Sequence, residues 1–333
     1  MSELESFRDA TILITGGTGS FGKQCAAALL ECCSPRKVII YSRDELKQHE
    51  MAVETPDPRL RFFLGDVRDR DRLVQAMRRG VDFVVHAAAL KQIPAAEYNP
   101  IECIRTNVHG AENLIGAAAD CGVKKVIALS TDKAVNPVNL YGATKLCADK
   151  LFTAANNMLG TDGMPRFGVV RYGNVVGSRG SVIPFFRALR SRGQAELPIT
   201  DPAMTRFWIS IEQGVRFVLR SLARLQGGEL FVPKIPSMKV TDMVAELFPG
   251  CKTKITGVRP GEKLHEVLLS SHEARTAVEF DDHYVVCAGW WDEQRRRRHL
   301  AAGRPVASGF EYRSDNNDDW LDGVRLRALV GER

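Results

Sequence analysis

The sequence lacks any run of about 18 apolar residues, and it therefore predicts no membrane-spanning helix. Residues Met1 to Asp9 are acidic and polar, so this segment has no apolar core of a secretory signal peptide. No cysteines and histidines have the spacing of a zinc site, and neither an internal repeat nor a low-complexity segment is present. These absences predict a cytoplasmic globular protein with no bound metal and no membrane partner.

The chain of 333 residues has 8 cysteines and a formal net charge of +6 at pH 7. Cys25, Cys121 and Cys147 lie in helical or apolar patterns, where a reduced thiol acts as a small apolar side chain. A positive net charge suits nucleic acid, a membrane surface or a small anionic ligand. The basic run Arg295–Arg298 has no nucleic-acid motif beside it. We interpret it as a solvated helix face or loop and predict no nucleic-acid partner.

Short apolar runs alternate with amphipathic stretches in the first half of the chain. The apolar runs predict buried parallel strands at Thr11–Thr15, Lys37–Tyr41, Arg61–Leu64, Phe83–His86, Val126–Ser130 and Phe167–Arg171. The amphipathic stretches predict helices at Gly22–Cys32, Arg70–Arg78, Ala111–Cys121 and Tyr141–Asn157. This alternation predicts the α/β class, with a doubly wound parallel sheet.

After about Gly173 prolines and glycines become frequent and the elements shorter, which predicts a smaller C-terminal lobe. Glu212–Arg224 is typical of a helix and Glu229–Val232 of a strand that return to the sheet. We therefore predict a Rossmann domain at 8–175 with returning segments at about 207–235. A substrate-binding lobe is predicted at 176–206 and 236–333, and a ligand cleft between the two.

A glycine-rich loop follows the first predicted strand and opens the first helix. Gly16, Gly19 and Gly22 have the GxxGxxG spacing that allows a tight turn, a close approach of the backbone to a pyrophosphate, and helix–strand packing. The helix N-terminus that follows favours phosphate binding. The loop predicts a dinucleotide site whose candidate residues are Gly16, Thr18, Gly19, Ser20, Phe21 and Gly22.

The end of the second strand decides which dinucleotide is expected. Ser42 and Arg43 suit a 2′-phosphate, with Lys47 one helical turn further on, so we predict NADP. Asp44 and Glu45 adjoin them and are also candidates, and a surface ion pair of Arg43 with Asp44 or Glu45 is the alternative. Further cofactor contacts are predicted at Asp66, Val67, Ala87, Ala89, Lys91, Leu129 and Ser130. Asp66 has an alternative role as a helix N-cap.

Two neighbouring motifs carry chemical groups. Tyr141 and Lys145 are four residues apart on a helix, so their side chains share one face, and the ammonium favours the phenolate. Asp132 and Lys133 place an acid and a base side by side at a strand end, where Thr131 can bond a substrate hydroxyl. An exposed loop pair is the alternative for Asp132 and Lys133.

The chain resembles the inverting UDP-N-acetylglucosamine 4,6-dehydratases, of the extended short-chain dehydrogenase/reductase type, from about Asp9 to Trp320. The resemblance rests on TGGTGSFG, YSRDELKQHEM, GDVRD, HAAALK, LSTDKA, LYGATK, VRYGNVVGSRGSV, MTRFW, FVPKIPSMK, RPGEKLHE and DNNDDW. Asn107 matches the superfamily's proton-relaying asparagine, with a buried structural role as the alternative. Substrate contacts are expected at Lys91, Thr131, Tyr141, Gly173, Asn174, Ser178, Arg179, Ser181, Val182, Thr200, Arg206, Arg259 and Glu262, with Asn174 also binding the cofactor.

The resemblance implies NADP-dependent dehydration of a UDP-linked amino sugar. Tyr141 takes the carbon 4 hydroxyl proton, Lys133 is the carbon 5 base, and Asp132 is the acid that helps water leave carbon 6. The product would be UDP-2-acetamido-2,6-dideoxy-β-L-arabino-hex-4-ulose, for pseudaminic acid synthesis, made by a homo-oligomer. A retaining 4,6-dehydratase, a 4-epimerase and a non-catalytic NADP-binding scaffold are the alternatives. Lysine titrates near ~10.4, so a base role requires its pKa to be lowered.

Overall fold

The computed structural model describes residues 2–158, 164–178, 180–291 and 293–331. The strands are β1 (Thr11–Thr15), β2 (Lys37–Ser42), β3 (Leu60–Leu64), β4 (Phe83–His86), β5 (Lys125–Thr131), β6 (Arg166–Tyr172), β7 (Asn174–Val175), β8 (Glu196–Ile199), β9 (Thr205–Ile209), β10 (Leu230–Pro233), β11 (Ser237–Lys239), β12 (Lys252–Ile255), β13 (Val267–Leu269), β14 (Ala277–Glu279), β15 (His283–Val286), β16 (Arg304–Pro305) and β17 (Tyr312–Arg313).

The α-helices are α1 (Ser20–Cys32), α2 (Glu45–Glu54), α3 (Arg70–Met77), α4 (Ile93–Tyr98), α5 (Pro100–Ile104), α6 (Gly110–Asp120), α7 (Leu140–Met158), α8 (Val182–Ser191), α9 (Ile211–Arg224), α10 (Val240–Leu247), α11 (Ser271–Ala274), α12 (Glu293–Ala302) and α13 (Gly323–Val330). Short 3-10 helices cover Ser2–Phe7 and Asp132–Ala134, and a π-helical turn covers Arg105–His109. In the described ranges, no helix combines the length and the apolar character needed to cross a bilayer.

The large sheet has the order β16-β14-β15-β10-β6-β5-β4-β1-β2-β3. Its strands from β3 to β10 in that order are parallel, and the predicted doubly wound α/β fold is confirmed. All five residues of β1 are buried, as expected for a strand covered by helices on both faces. The strand order reverses between β1 and β4, so their carboxyl ends mark the topological switch point at which ligands bind.

The far end of the large sheet differs from the predicted division of the chain. Strands β14, β15 and β16 lie inside the segment 236–333, yet they extend the large sheet in antiparallel pairs. The pairing of β10 with β15 joins segments that are far apart in the sequence and leaves no local pattern, which is why the predicted division missed it. The segment around the basic run forms α12, where Arg297 and Arg298 are exposed, in agreement with the solvated helix face that the sequence predicts.

A second, smaller core covers the carboxyl edge of the large sheet. It surrounds the sheet β11-β9-β7 and the pair β12-β8, and it packs α8, α10 and α13 around Trp208 and Phe186. The fold thus leaves a cleft between the large sheet and this second core.

The cysteines are all free thiols, and Cys147 is exposed although its helical pattern predicts burial.

Candidate active site

A cavity of about 990 Å³ fills that cleft. Its walls come from the carboxyl ends of β1, β2, β4, β5 and β6, from α7, and from the second core. Almost every predicted cofactor and substrate residue lines it, although these residues come from segments spread between Gly16 and Glu262. The parallel sheet brings them together because its strands end at one edge.

The glycine loop forms a backbone cradle at the floor of the cavity. Gly16 has φ +65°, and a Cβ there would lie 2.9 Å from the backbone of Ala88. A Cβ on Gly22 would lie 2.5 Å from the backbone of Gly17, so α1 packs against the loop only without a side chain. Gly19 at the N-cap makes no side-chain hydrogen bond, and the N-terminus of α1, which lines the cavity, is of the kind that binds phosphate oxygens.

The residues after β2 form a basic corner of the same cavity. Arg43 is 56% exposed, and its Nη1 lies 3.7 Å from Asp66 Oδ2. Asp44 caps α2 by accepting from the backbone N–H of Lys47 at 3.1 Å, and it also pairs with the Lys47 ammonium. The Asp44 carboxylate is therefore engaged within the protein. The N-cap of α3 is Asp69 and not Asp66, so the alternative helix-cap role for Asp66 is wrong.

Tyr141 and Lys145 lie one turn apart on α7, and both line the cavity. Burial raises the pKa of Tyr141 to about 12, and the ammonium that opposes this is that of Lys133, assisted by a hydrogen bond with Thr131. The sequence predicts that effect for Lys145, which is 4% exposed, so this prediction differs from the structure. Burial lowers the pKa of Lys145, although the charge of Asp149 opposes this effect. The ammonium form of Lys145 is therefore less favoured than it is in water.

A buried polar network supports this helix from behind. Arg171 donates from Nη2 to Asp149 Oδ2 at 3.2 Å, and it also pairs with Glu273 at 3.0 Å. Ser130, which lines the cavity, donates its hydroxyl to the same Asp149 oxygen at 2.9 Å. Sequence reasoning missed this network because nothing local marks the paired residues. It ties the end of β5 to α7 and so fixes Ser130 relative to Tyr141.

Asp132 and Lys133 are not the exposed loop pair of the alternative interpretation. Asp132 is fully buried and accepts at Oδ1 from the Thr131 hydroxyl at 2.9 Å and from Lys133 Nζ at 3.0 Å. Burial raises the pKa of Asp132, the Glu266 charge adds to this, and the Lys133 ammonium opposes it. The pKa of Asp132 is thereby raised above its ordinary value, which is the direction that a proton donor requires.

Lys133 also contacts a second carboxylate, Glu266 of the RPGEKLHE motif, for which the sequence predicts no role. Its Nζ lies 3.3 Å from Glu266 Oε1, and Glu266 is 2% exposed. Burial opposes the ammonium, but Asp132 and Glu266 outweigh it and raise the pKa of Lys133. The lowered pKa that a base needs is therefore not present in the protein alone.

The second core supplies the far wall. The residues there that were predicted to contact substrate and that line the cavity are Gly173, Asn174, Ser178, Ser181, Val182, Thr200, Arg206, Arg259 and Glu262. Arg259 Nη1 lies 4.0 Å from Glu262 Oε1, so these two side chains form a long ion pair. Arg206 is 8% exposed and donates to the carbonyls of Thr205, Lys263 and Leu264, so its guanidinium holds the protein backbone.

Some predicted site residues do not line the cavity. Glu45 is exposed in the first turn of α2, and Asp132 lies behind Thr131. Asn107 is 2% exposed and exchanges hydrogen bonds with the Leu90 backbone and donates to Thr144, so it joins α7 to the β4 loop as the structural alternative predicts. Arg179 lies outside the described residues.

Comparison with known proteins identifies the family. The family described as polysaccharide biosynthesis protein matches residues 12–288. A UDP-N-acetylglucosamine 4,6-dehydratase (inverting) of Campylobacter jejuni subsp. jejuni serotype O:2 is 57% identical over 329 residues, which cover 97% of this chain and 98% of that relative. The chain belongs to the inverting UDP-N-acetylglucosamine 4,6-dehydratase family. It is therefore an enzyme of the dehydratase class.

Solved structures have the same fold. Pen from Bacillus thuringiensis is 34% identical, with a TM-score of 0.88 over 97% of this chain and 98% of that chain. DesIV, a dTDP-glucose 4,6-dehydratase from Streptomyces venezuelae solved with NAD and TYD bound, is 25% identical. Its TM-score is 0.69 over 76% of this chain and 86% of its own. A 4,6-dehydratase from another organism thus has the same fold.

Proposed function

We propose that this dehydratase acts on UDP-N-acetylglucosamine with NADP, removes water across carbons 5 and 6, and inverts carbon 5. The observation that carries the proposal is the meeting of Tyr141, Lys133 and Thr131 on one cavity wall that continues into a dinucleotide cradle. The 57% identical relative bears the name of this reaction. We also place the reaction in the cytoplasm, at the start of pseudaminic acid synthesis, in a homo-oligomeric enzyme.

The cavity fits a nicotinamide dinucleotide. The side-chain-free cradle at Gly16 and Gly22 admits a pyrophosphate, and the basic corner at Arg43 and Lys47 suits a 2′-phosphate. A nicotinamide cofactor held there would supply the hydride transfer that links carbon 4 to carbon 6. Lys145, which lines the cavity on the Tyr141 face of α7, would bind the ribose hydroxyls of the cofactor.

The protein side chains move the protons. Tyr141 Oη takes the proton of the carbon 4 hydroxyl, and the resulting ketone acidifies the carbon 5 proton. The neutral amine of Lys133 removes that proton, and Asp132 supplies a proton that lets the carbon 6 hydroxyl leave as water. The Thr131 hydroxyl, bonded to Asp132 Oδ1 and lining the cavity, is placed to carry this proton. Protonation of carbon 5 on the opposite face then gives the L configuration.

The second wall holds the nucleotide. Arg259 is 58% exposed at the cavity and offers paired donors to the diphosphate, whereas Arg206 is occupied by carbonyls. Glu262, which accepts from the Thr200 hydroxyl at 3.2 Å, faces the ribose hydroxyls. A 4-epimerase has no need of a carbon 5 base, so the buried pair of Asp132 and Lys133 favours the dehydratase.

Purified protein incubated with NADP and UDP-N-acetylglucosamine is expected to release a product lighter by one water. In heavy water, that product is expected to carry deuterium at carbon 5, because the proton that returns to carbon 5 on the opposite face comes from solvent and is not the proton that the base removed. Mass spectrometry and proton NMR measure the two results. An epimerised sugar of unchanged mass, or a dehydrated product with no deuterium at carbon 5, contradicts the proposed reaction.

Replacing Arg43 with alanine is expected to weaken NADP binding by about 10- to 100-fold, the worth of one charge-assisted hydrogen bond. NAD binding is expected to change less than threefold, since NAD has no 2′-phosphate. Titration of each cofactor by calorimetry measures both constants. Arg192→Ala, an exposed arginine that does not line the cavity, is the control for the lost charge. Equal weakening of both cofactors by R43A would rule out NADP selection by this corner.

A further inference from the structure

Glu266 is a buried carboxylate on the cavity wall for which the reaction as described has no use. It precedes β13, and its backbone is fixed by Ser314, which exchanges hydrogen bonds with Glu266 N and O at 2.9 Å each. The carboxylate is 2% exposed, and Oε2 has no hydrogen-bond partner in the described structure. A carboxylate in such a place costs stability unless neighbouring charges compensate for its burial.

The compensation comes from cations on three segments. Lys133 Nζ lies 3.3 Å from Oε1, Arg206 Nε 3.9 Å from the same oxygen, and Lys263 Nζ 3.9 Å from Oε2. Burial alone would raise the pKa of Glu266, but these three positive charges outweigh it and lower the pKa. Glu266 is therefore ionised. Asp132 completes the group around Lys133, and the Tyr141 phenol lies near enough to the same ammonium for its charge to lower the pKa of the phenol.

We propose that Glu266 is a positioning residue of the dehydration: it holds the Lys133 amine at the cavity wall and supplies the charge that decides when this amine is neutral. The proposal rests on the proposed function, in which Lys133 is the carbon 5 base. Lys133 Nζ contacts the carboxylates of both Asp132, at 3.0 Å, and Glu266, at 3.3 Å. These two contacts hold the flexible lysine side chain in one position. An arrangement with Asp132 alone would leave the amine free to turn.

The sign of the charge effect follows from the chemistry of the base. An ionised Glu266 favours the ammonium of Lys133, so the neutral amine forms only at higher pH. It also favours the protonated form of Asp132, so the acid keeps its proton to higher pH. As pH increases, the rate rises where the base loses its proton and falls where the acid loses its proton, which gives a pH profile with two limbs. Because Lys133, Asp132 and Glu266 interact, the pH of each limb depends on all three groups. Removing the Glu266 charge therefore moves both limbs to lower pH.

The test is the pH profile of kcat/KM for water loss by the full-length enzyme with NADP. Glu266→Gln is expected to move both limbs down by about 1–3 pH units, the usual effect of one opposite charge at this distance. A purely structural defect would lower the height of the profile and leave its limbs in place. Glu279→Gln breaks another lysine–glutamate pair, with Lys234 at 2.7 Å, outside the cavity, and is expected to leave the limbs unchanged.

Glu266→Asp keeps a carboxylate one methylene farther from Nζ. We expect its limbs to lie between those of the wild type and of E266Q, with a lowered kcat because the grip on the amine is lost. If E266Q does not fold, an E266D profile with limbs at the wild-type pH overturns the proposal. A wild-type enzyme that releases no dehydrated sugar would instead refute the proposed function, whatever the variants do.

Discussion

Replacing Lys133 with alanine is expected to lower kcat for water loss by about 10²–10⁴-fold, the usual contribution of one general base. The variant removes the amine that lies beside Thr131 and Tyr141 on the cavity wall, and it leaves the dinucleotide cradle untouched. NADP binding is therefore expected to stay within threefold of the wild type. Product mass measures the turnover, and calorimetric titration measures the cofactor affinity.

The same substitution has a predicted cost in stability. Without the ammonium, the carboxylates of Asp132 and Glu266 remain buried together, and one of them has to take up a proton. Lys133→Ala is therefore expected to unfold at a lower temperature than the wild type, and adding E266Q is expected to restore part of the loss. Thermal unfolding of the two variants checks this order.

The control separates the base role from the loss of an ion pair. Lys234→Ala breaks the pair with Glu279, which does not line the cavity, and its turnover is expected to remain within about twofold. Turnover of Lys133→Ala at the wild-type rate would show that another group removes the carbon 5 proton. Loss of NADP binding together with turnover would show a collapsed site instead of a missing base.

The parts of the site that local sequence could predict are those with a local cause. Buried strands leave apolar runs, and the predicted β1 and β4 have the same bounds in the structure. The cradle is one continuous segment in which glycine is required sterically, as at Gly16. The Tyr141 and Lys145 face follows from helical periodicity alone.

The parts that sequence could not predict depend on pairings between distant segments. Glu266 reaches Lys133 only because the loop before β13 folds over the end of β5, and Arg171 reaches Glu273 in the same way. Neither pair has a spacing that periodicity detects. The role expected for Arg206 changed for the same reason, since its carbonyl partners come from the segment that carries Glu266. Charges that surround a catalytic group are thus the least visible feature in a single sequence.

Tyr141→Phe is expected to lower kcat by about 10²–10⁴-fold, because it deletes only the oxygen that receives the carbon 4 proton. Tyr98→Phe, at an 87% exposed tyrosine, is the matched control. The Tyr141 variant is expected to slow deuterium incorporation at carbon 5 to the same degree, since the acidifying ketone forms more slowly. A Tyr141→Phe enzyme that still exchanges carbon 5 at the wild-type rate would remove Tyr141 from the reaction.

The double variant of Tyr141→Phe with Lys133→Ala tests the order of the two proton transfers. If the tyrosine and the lysine serve separate successive steps, the slower step alone sets the rate, and the double variant is expected to be about as slow as the slower single variant. If both act in one transition state, their losses multiply. Tyr141 and Lys133 both line the cavity, so both schemes are open to them. The rate of product formation by the three variants under one condition therefore decides between a stepwise and a concerted dehydration.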